Sequence, residues 1–170
     1  WLLGSSGYSA QLAGKLGLPF AFAAQLAPEN LLAAFELYRK NFEPSNVLDK
    51  PYTIACFSVY AADSEQEAKR ETLTFSHSML RMMNSQSYVI PSPEELESYI
   101  YSESERYVLE SWNEKIIQGT ADQVVSRLNQ FQKASGADEL MIAALGHSLE
   151  GILHSAKLIA DAYEMPNNKD

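Results

Sequence analysis

The sequence predicts an α/β fold in which parallel strands alternate with helices. Four short apolar segments, each followed by a helical pattern, recur along the 170 residues. Repeated strand–helix units give a parallel sheet with right-handed crossovers. A long, polar and acidic stretch separates the third unit from the fourth, and we interpret it as a helical insertion at about residues 74–116. Four such units are typical of a small open α/β domain, and equally of half of an eight-unit barrel.

The first two units lie near the start of the chain. Residues 1–3 form an apolar strand, and the small, hydroxyl-rich turn at residues 4–9 leads into an amphipathic helix. Aromatic residues alternate along residues 20–24, which predicts a buried second strand. Pro28 then begins a helix whose apolar residues recur at helical spacing.

The third unit and the insertion follow. Residues 52–60 are rich in β-branched and aromatic residues, which predicts the third strand. A helix begins at Asp63 or Ser64 and runs to about Met83, because acidic residues follow a capping side chain. We predict two acidic helical segments, at about residues 93–101 and 103–115, and a brief extended link at residues 116–119.

The last part of the chain completes the fourth unit. Thr120–Gln123 matches a capping box, and its helix ends near Gly136. Residues 139–143 form the fourth strand, and residues 148–164 form the last helix. We interpret residues 1–170 as a single domain.

Composition excludes several classes of function. Acidic residues outnumber basic ones by 22 to 13, and the net charge is −9, so neither nucleic acid nor an anionic membrane is an expected partner. No apolar run approaches the roughly 20 residues of a membrane-spanning helix.

Cys56 is the one cysteine, which fits a reducing cytosol, and we expect a cytoplasmic protein. The chain starts within a strand at Trp1, so we expect residues to precede it.

The turn after the first strand is the best candidate binding site. Its glycines leave the backbone uncrowded, and the amides at the start of the next helix, with the helix dipole, favour an anion. The spacing is not that of a dinucleotide-binding loop, and the lysine of a P-loop is missing. The turn therefore predicts a phosphate site, with a tight, serine-capped turn as the alternative. The candidate residues are Gly4, Ser5, Ser6, Gly7, Tyr8 and Ser9.

Several blocks of residues resemble one enzyme family. Gly4–Ala13 with Gly17–Ala23, then Gly119–Val124 and Ser135–Met141, are similar in sequence and spacing to luciferase-like flavin monooxygenases. This resemblance covers nearly the whole chain. It implies the second half of a (β/α)8 barrel of the TIM type, and it assigns the turn at residues 4–9 to the phosphate of FMN.

The resemblance also implies an activity and partners. An FMN-dependent monooxygenase would oxidise a small organic substrate with reduced FMN and molecular oxygen, with a deazaflavin as the alternative cofactor and no metal. Its catalytic residues would lie on strands that this chain does not contain, so none is named. The implied partners are an N-terminal half-barrel or a partner chain that completes the sheet, a second copy in a homodimer, and a flavin reductase.

Two positions are candidates for substrate contacts, and both lie where the sequence departs from the family. Gln25 follows the second strand, where relatives often carry histidine or serine, and His147 follows the fourth, with Ile152 in place of a frequent arginine. These departures leave two alternatives open. One is a flavin- or deazaflavin-dependent oxidoreductase without oxygenation, and the other is a non-catalytic flavin-binding or assembly module.

Overall fold

The computed structural model describes residues 1–165, in which five strands alternate with helices. The strands are β1 Leu2–Gly4, β2 Phe20–Ala23, β3 Thr53–Ala61, β4 Ile116–Gly119 and β5 Glu139–Ala144. The α-helices are α1 Gly7–Lys15, α2 Leu31–Lys40, α3 Glu65–Met83, α4 Pro93–Leu96, α5 Glu103–Asn113, α6 Ala121–Ser135 and α7 Leu149–Ala162. A 3₁₀ turn at Pro28–Asn30 precedes α2. Within residues 1–165, no helix combines the length and apolar character needed to cross a membrane.

Two of the sequence predictions need correction. The link at residues 116–119 is a strand, because the Ala62 amide donates to the Gly119 carbonyl at 3.0 Å and Ile116 and Ile117 are buried. The helix predicted at residues 93–101 ends at Leu96, so only its first turn is helical. Its start is as expected, since Ser92 and Glu95 form a reciprocal capping box.

The structure consists of two compact units. The first unit comprises residues 1–58 and 128–143. Within it, β1 pairs with β2 and β2 with β3, both in parallel, and β5 pairs with β3. Leu2 lies opposite Phe20, and Phe20 opposite Thr53. The parallel pairing and the alternation with helices confirm the α/β fold class.

An aromatic cluster forms the core of the first unit. Phe20 and Phe22 of β2 pack against Phe35 of α2 with ring centroids 6.2 Å apart, and Phe20 also contacts Tyr38 at 5.5 Å. The buried Tyr38 hydroxyl donates to the Leu18 carbonyl at 2.9 Å and accepts from a backbone amide at 3.1 Å. Both polar and apolar contacts therefore hold α2 against the sheet that carries the candidate turn.

The second unit comprises residues 59–127 and, in the described part, 144–165. Within it, β4 pairs with β3, and α5 packs against α3. Arg70 on α3 forms ion pairs with Glu94 at 2.7 Å and Glu97 at 2.9 Å, beside α4. The hydrogen bond from Arg70, with further hydrogen bonds from the Glu94 backbone and the Ser92 side chain, lowers the pKa of Glu94 to about 2. The predicted insertion is thus helical and tied to α3 by charge as well as by packing.

A buried histidine lies at the centre of the insertion. His77 of α3 is 4% exposed, and its Nδ1 lies 3.0 Å from the Tyr101 hydroxyl. The Tyr99 ring packs edge-on against His77 at 5.0 Å. Burial, helped by the charge of Arg81 and opposed by that of Glu105, lowers the pKa of His77. His77 is therefore neutral in the folded protein at neutral pH.

The buried His77 predicts a pH-dependent stability. In the unfolded chain it binds a proton near pH 6.5, whereas in the folded protein it binds one only at lower pH. The contribution of neutral His77 to the free energy of unfolding is therefore complete above pH 6.5. It is lost as the pH falls towards the lowered pKa, by up to about 1.4 kcal/mol per pH unit. Urea unfolding between pH 7.5 and 5 should show this loss, and His77→Gln should reduce it.

The exposed His154 provides the control, because it lies on the surface of α7 beside Asp63. His154→Gln should retain the dependence of the wild type. An unchanged pH slope in His77→Gln would contradict the assignment.

Candidate functional site

The turn between β1 and α1 is held by two serines. Ser6 is the N-cap residue of α1, with extended backbone angles of φ −137° and ψ 162°. Its Oγ accepts from the Ser9 amide at 3.4 Å, while the Ser9 Oγ accepts from the Ser6 amide at 3.4 Å and donates to the Ser6 carbonyl at 2.8 Å. The sequence indicated a serine cap but not this reciprocal pair, because the usual pattern has Glu or Gln at the third helical position.

Two amides of the turn remain available to a ligand. Gly7 and Tyr8 are the first two residues of α1, where a helix offers no internal acceptor for an N–H group. The Ser9 amide is already used by the cap, and the Ala10 amide donates to the Ser6 carbonyl at 3.3 Å. No acidic residue lies in the first turn of α1, so the positive end of its dipole is unopposed. An anion at this position would meet free donors and a favourable field.

The end of β1 approaches α1 so closely that a side chain does not fit. A methyl group built on Gly4 would overlap both Oγ and Cβ of Ser9. At Gly7, the same addition would meet only the flexible end of Leu37, at 3.2 Å. Glycine is therefore required at position 4, where the end of β1 lies against Ser9 of α1, but it is not required at position 7.

Tyr8 and Ser5 complete the candidate turn. Tyr8 is 76% exposed, so its ring is available to a ligand bound at the turn. Ser5 is half-buried and follows β1 directly. All six residues predicted for the phosphate site therefore lie together at the end of β1 and the start of α1.

Gln25 lies beyond the end of β2, also in the first unit. Its amide donates to the Cys56 carbonyl at 3.1 Å, which places it beside the third strand. Burial raises the pKa of the Cys56 thiol, and a hydrogen bond from the Gln25 side chain opposes that rise. The Gln25 Oε1 is buried and has no hydrogen-bond partner among the described residues. Such an unpaired acceptor is costly in a protein interior, so Gln25 stays a candidate for a ligand contact.

His147 lies in the second unit, just after β5. It is exposed, and its Nδ1 lies 3.4 Å from the carbonyl oxygen of Ile90 in the loop before α4. The side chain thus contacts the insertion, which the sequence did not indicate.

A group of titratable residues near His147 was missed by sequence reasoning. Burial raises the pKa of Glu71, while the charges of Arg70 and His147 act in the opposite direction. Burial, together with Glu71 and Glu67, raises the pKa of Tyr60 to about 12. An acidic residue inside a polar helical stretch gives no sequence signal that it is half-buried. Nowhere in residues 1–165 do three His, Cys, Asp or Glu side chains gather as a metal site would require.

Comparison with known proteins identifies the family. Residues 1–139 match the family model described as luciferase-like monooxygenase. The chain belongs to this family. It is 37% identical over 164 residues to the luciferase-like monooxygenase of Escherichia coli strain K12 and to the uncharacterized protein YvbT of Bacillus subtilis. The match covers 96% of the chain and 49% of each relative, so the luciferase-like chain spans about half the length of these proteins.

Solved structures agree with this assignment. The crystal structure of apo-MsnO8 matches with a TM-score of 0.80 and 27% identity, over 99% of the chain and 51% of that protein. Two structures under 20% identical share the fold over 49% and 47% of their own length. One is the oxygenating constituent of 3,6-diketocamphane monooxygenase from Pseudomonas putida in complex with FMN, with a TM-score of 0.59. The other is an F420-dependent secondary alcohol dehydrogenase, with a TM-score of 0.57.

The two glycines of the turn should respond differently to alanine. Gly4→Ala forces the end of β1 away from Ser9 and should lower the free energy of unfolding by about 1–3 kcal/mol. Gly7→Ala meets only a flexible leucine and should change it by less than about 0.5 kcal/mol. Urea unfolding of both variants measures the difference. Equal effects of the two substitutions would show that the close approach of Gly4 to Ser9 does not constrain the turn.

Proposed function

We propose that the chain is the C-terminal half of an FMN-dependent monooxygenase that oxidises an organic substrate with reduced FMN and molecular oxygen. The observation that carries the proposal is the turn at Gly4–Ser9, where two free amides, two serine hydroxyls and an unopposed helix dipole converge. Family membership supports the type of reaction. The fold shared with an FMN complex supports the choice of cofactor.

The turn suits a phosphate group in both charge and shape. The amides of Gly7 and Tyr8 would donate to phosphate oxygens, and the hydroxyls of Ser6 and Ser9 would add donors by rotating away from each other. Their oxygen atoms now lie 3.3 Å apart. The exposed Tyr8 ring would cover the outer side of the bound group. Phosphate binding here would need no lysine or arginine.

Bound reduced flavin supplies the activation of molecular oxygen, and the protein contributes binding and orientation. The residues of this turn would anchor the phosphate end of the cofactor. Gln25, with its unpaired Oε1 at the end of β2, would offer an acceptor to a donor group of the flavin or the substrate. The catalytic groups would belong to the other half of the barrel.

We propose that another half-barrel covers the exposed apolar residues of the first unit. Trp1 and Leu3 of the β1 segment are 63% and 69% exposed, and Met141 of β5 is 50% exposed. On α1, Leu12 and Leu16 are 36% and 51% exposed. The outer edge of a strand that has a neighbour on one side only invites further pairing, and an N-terminal half of the same protein or a partner chain would satisfy it. We also propose that the intact protein forms a homodimer and has a flavin reductase as a partner.

Oxygen consumption tests the reaction class in the intact protein. Reduced FMN should support oxygen uptake that depends on an organic substrate. Substrate turnover with a reduced deazaflavin and without oxygen uptake would instead favour an oxidoreductase without oxygenation; an F420-dependent dehydrogenase is among the proteins that share the fold. Bound flavin without turnover would indicate a non-catalytic module.

The phosphate assignment predicts a selective loss of affinity. Ser6→Ala and Ser9→Ala should each weaken FMN binding by about 10-fold or more, because a hydrogen bond to a charged group contributes about 1.5–3 kcal/mol. Binding of riboflavin, which lacks the phosphate, should change little. Flavin fluorescence titration of the intact protein measures both affinities.

The exposed Ser126 on α6 provides a matched control, and Ser126→Ala should bind FMN like the wild type. Equal losses for FMN and riboflavin would show that the serines support the fold of the turn and do not contact the phosphate.

A further inference from the structure

One segment of the insertion lies against α3 without belonging to a helix or a strand. Residues 98–102, which we call the clasp segment, lie between α4 and α5. Their amides bond to neighbours in the chain, since the Tyr99 amide donates to the Leu96 carbonyl at 3.0 Å and the Ser102 amide to the Glu105 carboxylate at 2.8 Å. Among residues 1–165, no hydrogen bond between main-chain groups joins the clasp segment to α3, so this attachment depends on side chains.

The buried His77 of α3 provides the attachment. Tyr99 and Tyr101 both pack edge-on against its ring, with centroids 5.0 and 5.8 Å away. The two tyrosine rings also contact each other, at 4.5 Å. The His77 Nδ1 lies 3.0 Å from the Tyr101 hydroxyl. The clasp segment is thus joined to α3 by packed rings and a hydrogen bond that meet at one titratable side chain.

The charges that face His77 come from both helices beside it. Arg81, one turn further along α3, disfavours a proton on His77, whereas Glu105 of α5 favours one. The titratable groups of the clasp segment are Tyr99 and Tyr101, and burial, with the charges of Tyr99 and Glu105, raises the pKa of Tyr101 to about 12. Burial of His77 outweighs the effect of Glu105 and lowers its pKa. A proton on His77 therefore places a charge where the packed rings exclude water.

A second attachment beside the clasp segment does not respond to mild acid. Arg70 of α3 forms ion pairs with Glu94 of α4 and with Glu97, the last residue before the clasp segment. The hydrogen bond from Arg70 is the main reason that the pKa of Glu94 lies at about 2. Glu94 therefore stays charged between pH 7.5 and 5.5. Leu96 of α4 is also buried, so α4 has both a charged and an apolar contact that mild acid leaves unchanged.

We propose that His77 makes the attachment of the clasp segment pH-dependent: when its ring binds a proton, residues 98–102 detach from α3 while α4 stays attached. Detachment brings the charged ring into contact with water, which hydrates it. The insertion then has two states, one closed at neutral pH and one open in mild acid. This proposal goes beyond the proposed function, because it uses no residue of the cofactor site and holds with or without FMN.

Hydrogen exchange of the intact protein at pH 7.5 and 5.5 tests the proposal. At each pH, the rate expected for an unstructured peptide is divided by the observed rate, which removes the chemical effect of pH on exchange. In the open state His77 binds a proton near pH 6.5, and in the closed state only at lower pH. Protection of the clasp segment should therefore be about 3- to 10-fold lower at pH 5.5. Protection of α4 should not change.

Two variants assign the pH response to a particular histidine. His77→Phe keeps a ring between the two tyrosines and binds no proton, so the clasp segment should be as protected at pH 5.5 as at pH 7.5. His147 is the matched control, because its Nδ1 lies 3.4 Å from the Ile90 carbonyl oxygen of the same insertion. His147→Gln should respond to pH like the wild type.

Each outcome decides for or against the proposal. Unchanged protection of the clasp segment in the wild type, an equal fall in α4, a response retained in His77→Phe, or a response lost in His147→Gln would overturn it. The comparison of the clasp segment with α4 in the wild type needs no variant, so it decides the question even where His77→Phe fails to fold. A failure to bind FMN would overturn the proposed cofactor and leave the exchange measurement intact.

Discussion

The contact between Gly4 and Ser9 is the constraint on which the candidate site depends. Because Gly4 has no side chain, the end of β1 can lie directly against the first turn of α1. Ser9 then closes the turn by its reciprocal hydrogen bonds with Ser6. The hydrogen bonds between Ser6 and Ser9 do not involve the amides of Gly7 and Tyr8, so these two amides stay available to a ligand. One close contact thus determines both the path of the backbone and the donors that it leaves free.

Much of the fold could be predicted from the sequence because local signals and tertiary packing agree. Alternating aromatic residues indicated β2, and the predicted β3 differs from the observed strand by one residue at each end. Ser64 caps α3, at one of the two residues where the sequence placed the start of this helix, and Ser92 and Ser148 cap α4 and α7. Hydrophobic periodicity and helix capping depend on residues a few positions apart, so both can be recognised in one sequence.

The missed features depend on contacts between distant parts of the chain. β4 has only four residues, and its identity as a strand comes from pairing near Ala62. The helix expected to reach residue 101 stops at Leu96, and Tyr99 and Tyr101 instead surround the buried His77. For the site, the turn at Gly4–Ser9 was visible in the sequence. The unpaired Oε1 of Gln25 was not, because burial without a partner has no local pattern.

The central claim is that the turn from β1 to α1 holds the phosphate of FMN, and a crystal structure of the intact protein with FMN tests it most directly. The account predicts phosphate oxygens within hydrogen-bond distance of the Gly7 and Tyr8 amides and of the Ser6 or Ser9 hydroxyl. A phosphate bound elsewhere, for example at the first turn of α7, with the Gly7 and Tyr8 amides exposed to water, would contradict it.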